Sequence, residues 1–314
     1  MIAVTLAVPC RTDEPDLGRT LDLALASWRR GGAAAGGRLE LLVCLNGPGG
    51  AEPLAQLRAF AREAGGTLVE RDAEAAPPAE PPLPGAAVAV EALTTRRMGK
   101  PVAWNVLRAH ARTPVVIFVD ADVSFTPDAF GVLLDALAAA PDAVLASAKT
   151  TCAPRGGLFE RIMAAPYGVD FPNLSPQLYA ARVARLPRLM PEDLIEPERW
   201  LELVIGPERI VRVPEARVVV RLPGTLADFF RQRIRIEMGK VQIARGYPGL
   251  LARSAPQPGA RAALASLGLA GAARLGAYVV LRSLAHALAW WRWRRGRTAG
   301  IWRQAATTKR WDAP

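Results

Sequence analysis

The chain has 314 residues, is 51% apolar and 22% charged, and carries a formal net charge of +11. That apolar content excludes a disordered tail protein, and three cysteines, few and odd in number, exclude a disulfide-stapled module. The length admits one large domain or two smaller ones. The basic balance leaves nucleic acid, an anionic membrane face or a phosphorylated substrate as partner.

Residues 1–8 are apolar with no basic stretch before them, and Pro9 closes the run, so a buried strand over 2–8 is expected rather than a signal peptide. An amphipathic helix follows over 16–30, then a strand over 39–45 ending at Asn46-Gly47. A helix over 52–64 and a strand over 67–70 lead to an Ala/Pro-rich insertion at 73–85. Residues 87–92 alternate as a short strand, 101–111 are helical, and 115–119 form a β-branched run expected at the sheet centre. Residues 151–195 read as loop-rich, 217–221 as a strand and 225–242 as a helix. Strands alternating with helices indicate an α/β fold, a mostly parallel central sheet flanked by helices. In such sheets ligands bind at the carboxyl ends of the strands.

Polar residues directly after strands therefore carry the argument: Arg11 and Asp13, Asn46, and the pair Asp120 and Asp122. Two carboxylates at i and i+2 of an extended segment point the same way and can share a divalent cation such as Mg²⁺ or Mn²⁺. Gly99-Lys100 and Asn105 lie upstream, Glu192-Asp193 and then Gln232 and Arg235 downstream. Cys10, Cys44 and Cys152 have no metal-site spacing and read as small core residues, and His110 and His286 are assigned no ligand role. The free thiols favour a cytoplasmic location.

In this order the pieces resemble a family 2 glycosyltransferase of the GT-A fold, over residues 1 to about 245. The resemblance rests on Val8-Pro9 closing the first strand, Gly99 to Asn105 as Gly-Lys-x-x-Ala-x-Asn, and Asp-x-Asp at 120–122. It also rests on Glu192-Asp193 as an acidic pair opening a helix, and on Gln232 and Arg235 of a degenerate Gln-x-x-Arg-Trp motif. It implies an inverting transfer of a sugar from a nucleoside-diphosphate-sugar to an acceptor hydroxyl. Asp122, with Asp120, would hold the metal, and Asp120 the ribose or sugar. Pro9, Arg11, Asp13 and Asn46 would hold base and ribose, with Asn105 also on the donor side. Lys100, Gln232 and Arg235 would meet the diphosphate, whose oxygens match a guanidinium fork. Asp193 would be the general base, with Glu192 on the acceptor side. Asn46 stands where the family usually has Asp, which bears on the identity of the base, and Ile236 stands where it has Trp, which favours single-sugar transfer over polymer synthesis.

The remainder divides into a linker at 246–258 and a tail at 259–314. The tail holds ten basic residues and one acid, +9 of the total +11, and five of the eight tryptophans. Arg261, Arg274, Arg282 and His286 fall within an arc of about 140° on a helix, opposite Leu, Val, Tyr and Ala. No run reaches the ~18 uncharged residues of a spanning helix, so a helical amphipathic extension lying in an anionic membrane interface is expected. This would place the protein on the inner face of the cytoplasmic membrane, with a lipid or lipid-linked acceptor. A helical hairpin packed on the catalytic domain is the other reading of the tail; a nucleic-acid partner is not expected. The competing functions are a nucleotidyltransferase, disfavoured because no Gly-rich loop follows the first strand, and a catalytically inactive membrane-associated scaffold.

Overall fold

The structure, a computed structural model, describes residues 3–31, 37–75, 88–154, 156–255 and 267–296. The chain forms two compact units, to both of which the expected catalytic stretch 1–245 contributes. The first comprises Met1–Lys149, Leu174–Asp193 and Glu208–Val218; the second comprises Thr150–Asn173, Leu194–Pro207 and Val219–Pro314. The expected insertion at 73–85 lies largely outside the described residues, as do Arg261 and the tail beyond 296; the expected linker at 246–258 is described as far as residue 255 and holds a short helix at Pro248–Leu251.

The first unit is built on a sheet. Its strands are β1 (Ala3–Arg11), β2 (Arg38–Asn46), β3 (Leu68–Asp72), β4 (Val88–Thr95), β5 (Val115–Val119), the short β6 (Ser124–Phe125), β7 (Leu145–Cys152), β8 (Leu178–Arg182) and β9 (Ile210–Val220). They run in the order β3-β4-β2-β1-β5-β8-β7-β9-β6. The pairs β3–β4, β4–β2, β2–β1 and β1–β5 are parallel, whereas β8 is antiparallel to both β5 and β7. Helices α1 (Leu17–Gly31), α2 (Ala51–Glu63), α3 (Lys100–His110) and α4 (Ala129–Ala139) connect the strands. Strands buried on both faces explain the unbroken apolar runs, such as Leu6 to Val8 and Val116 to Val119. The mostly parallel α/β sheet is the one expected.

Chain order reverses across β1: the connection from β1 goes first to β2, on one side, and later to β5, on the other. This is a topological switch point, and the loops after β1 and β5 border its crevice.

Three expectations change. β1 does not stop before Pro9 but continues to Arg11, because β5 pairs only with Val4–Ala7. Beyond Ala7 the strand has its β2 neighbour alone, and a residue without an N–H is tolerated at such a one-sided position. The loop-rich stretch 151–195 contains α5 (Leu158–Ala164) and β8, a strand in the middle of the sheet. Leu178-Tyr-Ala-Ala-Arg lacks the β-branched residues that signal a strand, and its burial comes from its neighbours. Glu192 and Asp193 do not open a helix: α6 (Pro197–Ile205) begins after them, at a proline whose fixed φ suits a first helical position.

The second unit is helical. In α7 (Leu226–Gly246), Thr225 caps the N-terminus by accepting from the Asp228 N–H at 3.1 Å. The tail forms α8 (Gly268–Arg294), which packs on α7 and α5. Ala285 and Ala289 are fully buried with Ile195, Ile234 and Met238, while Tyr278 and Leu281 pack near Phe229. Tyr278 thus sits on the inward side, not opposite the basic residues.

Glu237 of α7 anchors this packing. Its buried carboxylate lies 2.7 Å from Arg233, 3.0 Å from Lys240, 3.5 Å from Arg282 and 3.1 Å from His286 Nδ1. Desolvation pushes its pKa up, but the charges of Lys240 and Arg233, with hydrogen bonds from Lys240 and His286, outweigh that and hold it at about 2. A depressed carboxylate stabilises the fold above its ordinary pKa and loses that contribution as pH falls toward the folded value. Glu237→Gln is therefore expected to cost on the order of 3 kcal/mol at pH 7. In thermal unfolding, the gap between wild type and variant should narrow from pH 5 to pH 2.

Candidate active site

The carboxyl ends of β1, β2, β4 and β5 gather the strand-end residues in the first unit. Register sets Arg11 beside Asn46, and Asn46 beside Thr95. Asn46 is buried and donates its amide N–H to the Gly99 carbonyl at 2.8 Å, fastening the end of β2 to the start of α3. Gly99 itself has φ 129°, a backbone conformation that L side chains rarely adopt. Arg11 holds Asp13 through both guanidinium and carboxylate, at 2.8 and 2.7 Å, and this hydrogen bond raises the Arg11 pKa against the opposing desolvation. Pro9 lies two residues inside the same strand.

Lys100, the first residue of α3, brings the Gly-Lys segment and the Asp-x-Asp pair together. Its ammonium sits 2.6 Å from Asp120 Oδ1 and donates to the Pro176 carbonyl at 2.8 Å. Asp120 and Asp122 lie not in an extended segment but in a turn directly after β5. The turn is tied at two points. Asp120 N–H donates to the Gln177 carbonyl at 3.0 Å, and the buried Thr20 of α1 donates to the Ala121 carbonyl at 2.8 Å. Both carboxylates are partly exposed, so the turn presents hard oxygen donors at the switch point.

Asn105 has a different place from the donor-contacting one expected. It is buried on α3, donating to the Met190 carbonyl at 2.9 Å and accepting from the Met190 N–H at 2.8 Å. Both ends of the amide are used, and the strap so made lies two residues before Glu192-Asp193. That acidic pair is exposed in its turn, with Glu192 paired to Arg97. Arg97 also reaches Glu74 at 3.6 Å, and its pKa is raised, chiefly by the hydrogen bond to Glu192.

Gln232 and Arg235 stand on α7 of the second unit, both partly buried. Arg235 Nε is buried with no hydrogen-bond partner among the described residues. A buried, unsatisfied guanidinium N–H is costly and suits an anionic ligand.

Two residues of the first unit escaped the sequence reading. Thr20 shapes the Asp-x-Asp turn, and nothing in its local sequence marks it. Arg97 had a signal, since it immediately precedes the Gly99-Lys100 segment. Two of the three cysteines are the core residues expected, whereas Cys152 is only partly buried, packed against Met163, Leu222 and Phe229. Cys10 and Cys44 are buried, desolvation pushing the Cys44 thiol up to about 12, and His110 is bonded through Nδ1 to its own helix at the Val106 carbonyl, 2.9 Å away.

Among the described residues no group of three or more His, Cys, Asp or Glu is placed to enclose a metal. A pair of carboxylates beside a crevice is instead the donor set of an ion that takes its other ligands from phosphate oxygens and water. In that sense Asp120 and Asp122 fit Mg²⁺ or Mn²⁺.

Residues 87–174, from β4 through the Asp-x-Asp turn to the start of the segment that leads into β8, match the model of Glycosyl transferase family 2. No curated protein sequence matches the chain. Among solved structures, the mannosyltransferase PcManGT from Pyrobaculum calidifontis, in complex with GDP-Man and Mn²⁺, is 21% identical with a TM-score of 0.53. That match covers 95% of this chain and 83% of the other. S. aureus TarS 1-349 in complex with UDP-GlcNAc is 14% identical, TM-score 0.49, over 78% of this chain and 67% of that one. Glucosyl-3-phosphoglycerate synthase from Mycobacterium tuberculosis with Mg²⁺ and UDP is 13% identical, TM-score 0.47, over 81% of each chain. The fold is GT-A. Within that fold, residues 87–174 match Glycosyl transferase family 2.

Proposed function

We propose that the protein is an inverting, divalent-metal-dependent transferase that moves one sugar from a nucleoside-diphosphate-sugar to an acceptor hydroxyl. The observation that carries this reading is the convergence of Arg11, Asn46, Lys100, Asp120 and Asp122 at the switch point of the sheet. Asp122 and Asp120 would hold Mg²⁺ or Mn²⁺, which supplies charge stabilisation to a departing diphosphate. Lys100 adds a positive charge beside Asp120 and orients that carboxylate. Pro9, Arg11, Asp13 and Asn46 receive base and ribose. Gln232 and Arg235 are assigned to the diphosphate, for which the unsatisfied Nε of Arg235 is suited.

Asp193 takes the proton from the acceptor hydroxyl as that oxygen attacks the anomeric carbon, and the sugar–phosphate bond breaks on the opposite face. One displacement of this kind inverts the anomeric configuration. Glu192 borders the acceptor, and its pairing with Arg97 fixes the turn that carries Asp193. Asn105 supports the same turn through Met190 and is a positioning residue. The acceptor is lipid or lipid-linked, and the enzyme is peripheral on the inner face of the cytoplasmic membrane. The basic tail, +9 of the total +11, supports that placement. Among the described residues no helix is long and apolar enough to cross a membrane.

Thermal unfolding with UDP, GDP, ADP or CDP, each with and without Mn²⁺, tests the reading. At about 100-fold excess over Kd, binding stabilises the folded state by about 2.7 kcal/mol. One nucleotide is expected to raise the midpoint strongly with Mn²⁺ and weakly without it. No response to any nucleotide–metal pair would overturn the assignment.

A further inference from the structure

The inward side of α8 accounts for Arg282 and His286 and leaves a continuous apolar face unexplained. Arg282 and His286 turn to Glu237, and Ala285 and Ala289 are buried. On the opposite side Leu269 is 94% exposed, Val280 61%, Leu284 52%, Leu288 44% and Trp291 40%. At 100° per residue these five fall within an arc of about 100°. The other positions of that arc are Ala270, Ala273, Ala277 and Ala287, so no polar or charged side chain interrupts it. At 1.5 Å per residue the stripe is about 33 Å long. Exposed apolar surface that is contiguous on this scale marks an interaction site.

The C-terminal end of the stripe identifies its partner. Trp290 and Trp291 are each covered by a guanidinium, Arg294 at 3.9 Å and Arg295 at 4.3 Å from the ring centroids. Arg292 adds charge there, and in the sequence Arg297, Arg303, Lys309 and Arg310 follow against the single Asp312. Tryptophan with arginine belongs at the headgroup level of a bilayer, and the sign of the cluster complements anionic lipid. An uninterrupted apolar stripe edged by Arg274 and Arg292 on one side and by Ser283 and Arg294 on the other is the pattern of a helix lying in a bilayer interface.

We propose that the outward stripe of α8 is the membrane-inserting surface of this protein. It enters the outer hydrocarbon of an anionic bilayer as a helix already docked on α7, with the Trp–Arg end at the headgroups. This deepens the membrane placement proposed above and does not depend on the sugar-transfer chemistry. It also separates two contributions: the stripe provides an apolar, salt-resistant one, and the basic end an electrostatic one that salt screens.

The test uses the full chain and vesicles of phosphatidylcholine alone or with 30% phosphatidylglycerol. Wild type is expected to co-sediment with the anionic vesicles, and lipids brominated near the headgroup end of the acyl chain should quench its tryptophan fluorescence. Val280→Asp/Leu284→Asp lies on the exposed face and should leave the circular dichroism and nucleotide-induced stabilisation unchanged. Its vesicle binding should fall at least tenfold and stay weak in low salt. Arg292→Gln/Arg294→Gln/Arg295→Gln should lose the preference for anionic lipid but keep the quenching at high lipid concentration. Wild-type binding by the Asp variant overturns the proposal, as does wild type failing to bind either vesicle. A dimer that the Asp substitutions convert to monomer in sedimentation velocity, without vesicle binding, would assign the stripe to a second copy instead. If vesicle binding holds while no nucleotide is bound, the transferase reading fails and this one stands.

Discussion

Replacing Asp193 with Asn is expected to lower kcat by about a thousandfold, within the range of a lost general base, and to leave donor binding unchanged. Asn keeps the size of the side chain and removes only its capacity to accept a proton. The turn it occupies is exposed and is fixed from elsewhere, by Asn105 on Met190 and by Arg97 on Glu192. The substitution should therefore not unfold it. Asp122→Asn gives the contrasting result: transfer is lost, and so is the Mn²⁺-dependent part of nucleotide stabilisation, because a neutral amide is a poor ligand for a hard cation. The discriminating measurement is kcat beside the donor Kd for both variants. Wild-type turnover in Asp193→Asn would remove the base from Asp193. A donor Kd that weakened as much as kcat fell would place Asp193 in donor binding instead.

The sheet and its ligand-bearing edge were legible because their signals are local. Val115 to Val119 is apolar and β-branched and ends in Asp120, so strand, burial and site follow from adjacent letters. The same holds for Val4 to Val8 with Arg11, and for Leu41 to Leu45 with Asn46. What the sequence concealed depends on partners distant in the chain. β8 is a strand because β5 and β7 flank it. Asn105 reads as the polar residue closing the Gly-Lys-x-x-Ala-x-Asn segment, yet its amide is consumed by Met190, 85 positions away. The tail shows the same division. Its helical period and its charge are plain in the sequence, but that Arg282 and His286 answer to Glu237, leaving the apolar side outward, requires α7 to be in place.

A second large effect lies at the opposite end of the sheet, where Arg112→Met is expected to destabilise the first unit by about 3–5 kcal/mol without altering the site. Arg112, between α3 and β5, donates to Glu40 Oε1 at 2.5 Å and to Glu91 Oε2 at 2.7 Å. Glu40 on β2 is 4% exposed and Glu91 on β4 is 0% exposed. Thr5 donates to Glu40 at 2.6 Å, and Arg71 lies 2.8 Å from Glu91. These residues sit in the early part of β1, β2 and β4, away from the carboxyl ends that carry Arg11 and Asn46. Methionine fills the space of the arginine stem but leaves two carboxylates buried with too little positive charge. Desolvation then goes uncompensated, which costs more than the ion pairs gain relative to an apolar core. The measurement is thermal unfolding, where a unit of this size loses about 2–4 °C per kcal/mol, set beside nucleotide binding below the midpoint. Arg112→Met alone should lower the midpoint by roughly 10 °C and keep the donor Kd. Removing the stranded charges as well, in Glu40→Leu/Glu91→Leu/Arg112→Met, should recover most of the loss, since apolar side chains of similar volume replace a buried ionic cluster at little cost. A midpoint unchanged in the single variant would mean that water already reaches the cluster and that these carboxylates are not held by Arg112.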